Sequence, residues 1–222
     1  MMQLFIGLIA EGPTDIRFLK TVIYKSIQEL SWRCKNQIEI FDIQEISADG
    51  NSFSEKMLAA SKSALHDYGI NILCVHADSD TRLIKDVMDN KFAPFFEALN
   101  GMSGDEYCKH IIPTIPIQMI ESWMLADKEL LKQLINAIGT RNIDLGIEKE
   151  PEAYSDPKCT IENAIRIAMS GKSKKKRDQI SISDLYELLG NRLGLDKLRA
   201  IPSFVNFENN VINVFKTMNL MR

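Results

Sequence analysis

Two runs of the chain, Leu4–Ala10 (LFIGLIA) and Ile70–Ala77 (INILCVHA), are almost continuously apolar. A strand half-exposed to water would alternate, so these runs read as strands covered on both faces, the pattern of a parallel sheet sandwiched by helices. Two further β-rich runs lie at Ile38–Ile46 and Ile111–Ile117. Helical periodicity fills the gaps at Thr14–Leu30, Ser54–Tyr68 and Leu83–Leu99, and a fourth helix is expected over Ile120–Ile138. The second helix opens with Ser52-Phe-Ser-Glu55, the spacing of a capping box. Residues 1–138 therefore predict an α/β core with a mainly parallel four-stranded sheet and helices on both faces. Residues 139–222 read as a helical extension packed on that core. In it, 140–157 is an aperiodic loop, and helices fall near Thr160–Met169, Ser183–Leu189 and Phe204–Met218. A chain of 222 residues is long enough for one well-cored domain with a small appended lobe.

Composition narrows the function classes. No run of about 18 apolar residues exists, which excludes a helical membrane span, and the N-terminal run lacks the basic flank and cleavage site of a signal peptide. The four cysteines, Cys34, Cys74, Cys108 and Cys159, form no CxxC pair, so a zinc site or disulfide framework is not expected. The default is a cytoplasmic protein with reduced thiols. The net charge is −3, from 27 basic and 30 acidic residues. A protein that coats nucleic acid is usually basic overall, so any such contact here must be local.

The acidic residues that follow the two apolar strands carry the chemistry. The first strand runs into Glu11-Gly-Pro-Thr-Asp15 and the third into Asp78-Ser-Asp80. In open parallel sheets, sites form beyond the carboxyl ends of the strands. In extended chain, residues i and i+2 point the same way, so Asp78 and Asp80 can aim two carboxylates at one point. Gly12 permits a sharp turn after Glu11, and Pro13 suits a first helical turn. Three carboxylates in one crevice repel one another unless protons or a cation compensate. Mg2+ (or Mn2+), which takes oxygen ligands and keeps several waters, is the natural compensator. Taken singly, each motif also has a plain explanation. Asp80 or Thr81 can cap the next helix, while Glu11 and Asp15 favour a helix dipole. His76, inside the third strand, reads as a satisfied interior residue.

Glu121 opens the fourth helix just after the fourth strand, where it can reach the same crevice as a weaker metal-site candidate or simply complement the helix dipole. Ile120, Trp123, Met124, Leu131, Leu134 and Ile138 form the apolar stripe of that helix, with Trp123 read as core. Lys158, ahead of a helix, and the cluster Lys174, Lys175, Lys176 and Arg177 in the stretch KSKKKR are the candidates for holding nucleic-acid phosphates. No GxSxG elbow and no GxxxxGK[ST] loop is present. A dehalogenase-type phosphatase motif also fails, because position 82 is Arg and the Asp-x-Asp follows the third strand, not an early one.

A strand ending in Glu-Gly and a later strand ending in Asp-x-Asp resemble the two signatures of Toprim domains, found in topoisomerases, bacterial primases, ribosomal-RNA maturases and related nucleases. More narrowly, EGPTDIRFL, VHADSD, PIQMIESWMLAD and DPK resemble a group of bacterial Toprim-like proteins sometimes found in phage-defence loci. The resemblance implies a Rossmann-like Toprim core over residues 1–138. By the same likeness, Glu11 corresponds to a general acid or base, and Asp78 and Asp80 to a magnesium-binding pair. Thr81-Arg82-Leu83 stand where many members carry a glycine. The expected activity is Mg2+-dependent phosphodiester cleavage in DNA or RNA, with an ATPase as a candidate partner. Alternatives are a non-catalytic subunit that binds nucleic acid or such a partner, and a hydrolase of small phosphodiesters or nucleotides.

Overall fold

The structure, a computed structural model, describes residues 2–79, 83–170 and 180–221. The first apolar run forms β1 (Met2–Leu4) and, after a break at Phe5, β2 (Ile6–Ile9). Helix α1 (Pro13–Ser31) crosses to β3 (Ile38–Ile40) and β4 (Gln44–Glu45), and α2 (Phe53–Tyr68) leads to β5 (Ile72–His76). Next come α3 (Ile84–Val87), a π-helical turn at Met88–Phe92, α4 (Ala93–Asn100) and β6 (His110–Thr114). All pairings are parallel. β1 pairs with β3 in a two-stranded sheet, and β4-β2-β5-β6 form a four-stranded sheet. The fold is thus α/β, and its two central strands, β2 and β5, are buried throughout, as their apolar runs required.

The two faces of the sheet feed two separate cores, and the split follows the period of 2 along each strand. Ile6, Leu8, Ile72, Cys74 and Ile112 face α1 and the C-terminal helices. Ile9, Leu73, Val75 and Ile111 face α2, the π-turn and α4. A short edge strand at β6 accommodates Pro113, whose carbonyl accepts a hydrogen bond from the Asn210 side chain at 3.0 Å.

The remaining helices are α5 (Glu121–Met124), α6 (Lys128–Leu134), α7 (Asn142–Leu145), α8 (Pro157–Ala168), α9 (Ile182–Arg192), α10 (Leu195–Leu198) and α11 (Pro202–Thr217), with a 3₁₀ turn at Pro151–Ala153. Their apolar residues join the same core as α1. Helices α1 and α9 approach closely, so that a Cβ on Gly190 would stand 2.8 Å from the Phe18 carbonyl oxygen. Lys25 seals this contact by donating to the carbonyls of Gly190 and Leu193 at 2.9 and 2.7 Å.

Three expectations need correction. The single helix over Ile120–Ile138 is two helices, because Asp127 starts a new one by accepting the Leu130 N–H at 2.9 Å. Leu134, the last residue of the second helix, is half-buried, and Ile138, four residues beyond its end, is 78% exposed. The stretch 140–157 is not simply loop, since it contains α7 and the 3₁₀ turn. At α2, Ser52 caps Glu55 as expected, but the Glu55 carboxylate reaches the Asn51 N–H instead of that of Ser52. Among the described residues no helix is long and apolar enough to cross a membrane.

Candidate functional site

The strand order β4-β2-β5-β6 reverses direction at β2. The chain first adds a strand on one side of β2 and then returns to its other side. Such a reversal opens a crevice beyond the strand ends. Glu11 lies two residues past the end of β2, and Asp78 two residues past the end of β5, the strand beside it. The loops around the crevice are stapled together. Ala77 and Ser79 donate their N–H groups to the carbonyls of Thr114 and Pro116, and the Gln118 N–H donates to Ser79 Oγ at 2.8 Å. Gln118 is held at φ 64°, a left-handed conformation that costs a non-glycine residue energy. This loop delivers Glu121 to the same end of the sheet.

Buried at the centre is His76. Its Nε2 lies 3.1 Å from Asp78 Oδ1 and its Nδ1 lies 3.8 Å from Asp15 Oδ2, with the histidine side chain wholly inaccessible. The first contact is off the line of the ring N–H, so among the described residues neither ring nitrogen has an aligned hydrogen bond, and nor does Asp78 Oδ1. His76 is therefore not the satisfied interior residue that its strand context predicted. Burial opposes its charge, but the contact with Asp78 and the charges of Asp78, Asp15 and Glu11 outweigh burial and raise its pKa.

Asp15 accepts the Gly12 N–H at 2.9 Å and the Thr14 hydroxyl at 3.4 Å, closing the first turn of α1. Gly12 itself is extended, at φ −138° and ψ 161°, which any residue adopts. No sharp glycine turn follows Glu11, and the close neighbour of Gly12 is the Asp15 carboxylate, 3.3 Å from where a Cβ would sit. Burial raises the Asp15 pKa, and the charge of Asp78 adds to that rise against the opposing pull of His76. Glu121 is buried and accepts a hydrogen bond from the Tyr186 hydroxyl of α9. Its pKa is raised chiefly by burial and further by Asp78, while Tyr186 and Lys158 act in the opposite sense. Glu11 stands at the mouth, half-exposed, 3.5 Å from Lys91 Nζ. Beside it opens a small cavity of about 190 Å³ that reaches Lys56 and Glu45.

The structure thus brings Glu11, Asp78 and Glu121 to one crevice and adds Asp15, His76 and Tyr186, which sequence reasoning did not name as site residues. The sequence holds a signal for His76, two residues before Asp78 on the same face of the strand, and none for Tyr186. Lys158 does not precede its helix but sits in the first turn of α8, after the capping Asp156, and is exposed. Asp80, Lys174, Lys175, Lys176 and Arg177 lie outside the described residues. The helix after the Asp-x-Asp takes Leu83 as its cap residue, beyond the motif.

Whether these residues suit a divalent cation can be tested on the geometry. Among the described residues, no three His, Cys, Asp or Glu side chains gather closely enough to form a metal centre unaided. The donor set is nevertheless of the right kind, with hard carboxylate oxygens, a buried Asp78 oxygen lacking an aligned partner, and carboxyls whose protons are held unusually tightly. Compared with protein-family models, curated proteins and solved structures, the chain matches none.

The crowding of acids has a measurable consequence. In protein stripped of divalent cations, Asp15, Glu121 and His76 each hold a proton more tightly when folded than when unfolded. Their contribution to stability is complete below the unfolded values, about 4 for carboxyls and about 6.5 for imidazole, and is lost as pH rises through the higher folded values. With EDTA present, urea midpoints should fall between pH 5 and pH 8, the three groups together outweighing the opposite trend from His110, whose pKa burial lowers. A midpoint that rises across this interval would contradict the proton-holding cluster.

Proposed function

We propose that this protein is a Toprim-like enzyme that cleaves phosphodiester bonds in DNA or RNA with Mg2+ or Mn2+. The observation that carries the reading is buried His76 set between Asp15 and Asp78 at the crevice where the strand order reverses, with Glu11 and Glu121 within electrostatic reach of this pair. Asp78, Asp80 and Glu11 would hold the cation. Bound there, it would supply positive charge to polarise a phosphoryl oxygen and to acidify an attacking water.

The chain's own residues supply the rest. Glu11, accessible at the mouth, accepts a proton from the attacking water, with Lys91 Nζ 3.5 Å away as a surface ion-pair partner. His76, wedged between Asp15 and Asp78, fixes the direction in which Asp78 points. Glu121, held by the Tyr186 hydroxyl, stands within electrostatic reach of Asp78. Lys158, close enough to act on Glu121 electrostatically, would meet a backbone phosphate. The likeness to proteins of phage-defence loci extends the proposal to a cytoplasmic defence nuclease working beside a partner ATPase.

Melting with and without Mn2+, together with cleavage of single- and double-stranded DNA and RNA, tests the reading. Metal at a hundredfold excess over Kd should stabilise the fold by about 2.7 kcal/mol. Asp78→Asn, which keeps a polar atom beside His76, should lose most of that gain. Binding of nucleic acid without cutting, with the partner ATPase present, would make the protein a non-catalytic subunit. Hydrolysis confined to small phosphodiesters would reassign the substrate, and absence of both binding and cutting ends the proposal.

A further inference from the structure

Helix α1 begins at the crevice and ends, 19 residues and roughly 28 Å later, at Ser31. The next residue, Trp32, is 76% exposed, far more than the other tryptophan, Trp123, which is fully buried. An exposed indole offers a flat aromatic face on which a base can stack.

Immediately beyond Trp32 lies a groove of about 440 Å³, lined by Arg33, Lys35, Ile212, Lys216 and Met221. Three of these five residues are cations and none is acidic, in a chain that carries more acid than base. Among the described residues, no carboxylate lies within 4.0 Å of any of the three cationic groups. The walls are fixed in place. The Lys35 N–H donates to the Leu220 carbonyl at 2.9 Å, and Lys35 Nζ donates to Asn219 Oδ1 at 2.7 Å. Asn219 is itself held left-handed, at φ 59°. The loop after α1 and the turn after α11 thus form one ordered rim whose three cations lack an acidic partner among the described residues.

We propose that this rim is a docking surface for single-stranded nucleic acid. Arg33, Lys35 and Lys216 grip successive phosphates, and an unpaired base stacks on Trp32. Cations without acidic partners match a polyanion, and an exposed indole matches a base face, a combination that binds single strands with little sequence preference. A duplex hides its base faces, so Trp32 selects the unpaired form. The surface stands apart from the chemistry at the strand ends, and binding to it is read without cleavage.

Trp32 reports on its own occupancy, because the second tryptophan is buried. Titrating the full protein in EDTA with an oligothymidylate of about 20 nucleotides should quench the exposed component of the emission, while a blunt duplex of the same length should not. The triple variant R33Q/K35Q/K216Q should bind at least about 10-fold more weakly. It should also flatten the plot of log K against log salt by about 2 units, the slope expected from three phosphate contacts on a single strand. Trp32→Ala should weaken binding by about 5-fold to 150-fold, the equivalent of one stacked base, at an unchanged melting temperature. Equal quenching by duplex and single strand, or a salt slope untouched by the triple variant, overturns the proposal. So does sedimentation as a dimer that Trp32→Ala converts to monomer, since the ring would then be a subunit contact. Quenching without cutting upholds this surface and removes the cleavage reading, while cutting without quenching does the reverse.

Discussion

Glu11→Gln should lower metal-dependent cleavage by about 10²-fold to 10⁴-fold, the range expected when a positioned proton acceptor is removed. The substitution preserves the length and shape of the side chain and removes its charge and basicity. It should cost the fold little. The side chain of Glu11 is 48% exposed, and its one ion pair among the described residues, with Lys91 at 3.5 Å, is of the surface kind that contributes less than about 1 kcal/mol. Asp78 differs in kind, because its contact with buried His76 at 3.1 Å ties it to the interior, so that Asp78→Ala mixes loss of chemistry with loss of structure. Glu11→Gln is the cleaner probe for that reason. Lys91→Ala provides the control, since it removes the partner and leaves the carboxylate, and it should change cleavage by no more than a few-fold. Retention of cleavage within about 10-fold in Glu11→Gln would remove Glu11 from the chemistry, whatever became of the metal response.

The parts of this design that could be read from the sequence are those written in short-range pattern. β2 and β5 announce themselves as apolar runs because both faces of the sheet are buried. The acidic residues that end them follow at once, so the crevice is legible from two short motifs. What could not be read depends on distant residues. Tyr186 meets Glu121 across 65 positions of sequence, and no local period encodes that contact. His76 is masked by its setting, since a histidine within ILCVH looks like one more interior residue until Asp15 and Asp78 are placed on either side of it. The break between α5 and α6 is an intermediate case. Apolar spacing carries straight through it, yet Asp127 ahead of Lys-Glu-Leu-Leu is a readable cap that periodicity alone overrides. The basic rim at Arg33, Lys35 and Lys216 needed the fold most, because it joins two segments some 180 residues apart, as the bond from Lys35 to Asn219 spans 184 positions.

The largest change in stability should come from Trp123→Ala, at about 3–5 kcal/mol, the cost of deleting a buried indole. Trp123 is fully inaccessible, stands edge-on to Phe204 with centroids 5.1 Å apart, and tilts against Phe207 at 6.1 Å. Its indole N–H donates to buried Ser203 Oγ at 2.7 Å. The truncation therefore opens a cavity in the core shared by α5 and α11, removes the aromatic pairing, and leaves a buried hydroxyl without its donor. Trp123→Phe separates these effects, because it restores most of the ring volume and leaves only the hydroxyl unpaired, for a loss of about 1–3 kcal/mol. Trp32→Ala, by contrast, should change stability by no more than about 0.5 kcal/mol, since that ring is 76% exposed. Set against a usual total of about 5–15 kcal/mol, the first substitution consumes a large share of what holds the fold. Glu121 lies two residues before Trp123 in the same short helix, so loosening this anchor also frees the carboxylate that Tyr186 holds at the crevice. Urea midpoints for the three variants measure the ranking. A loss below about 1 kcal/mol in Trp123→Ala would mean that α5 is not fixed through its indole, and that the position of Glu121 has another cause.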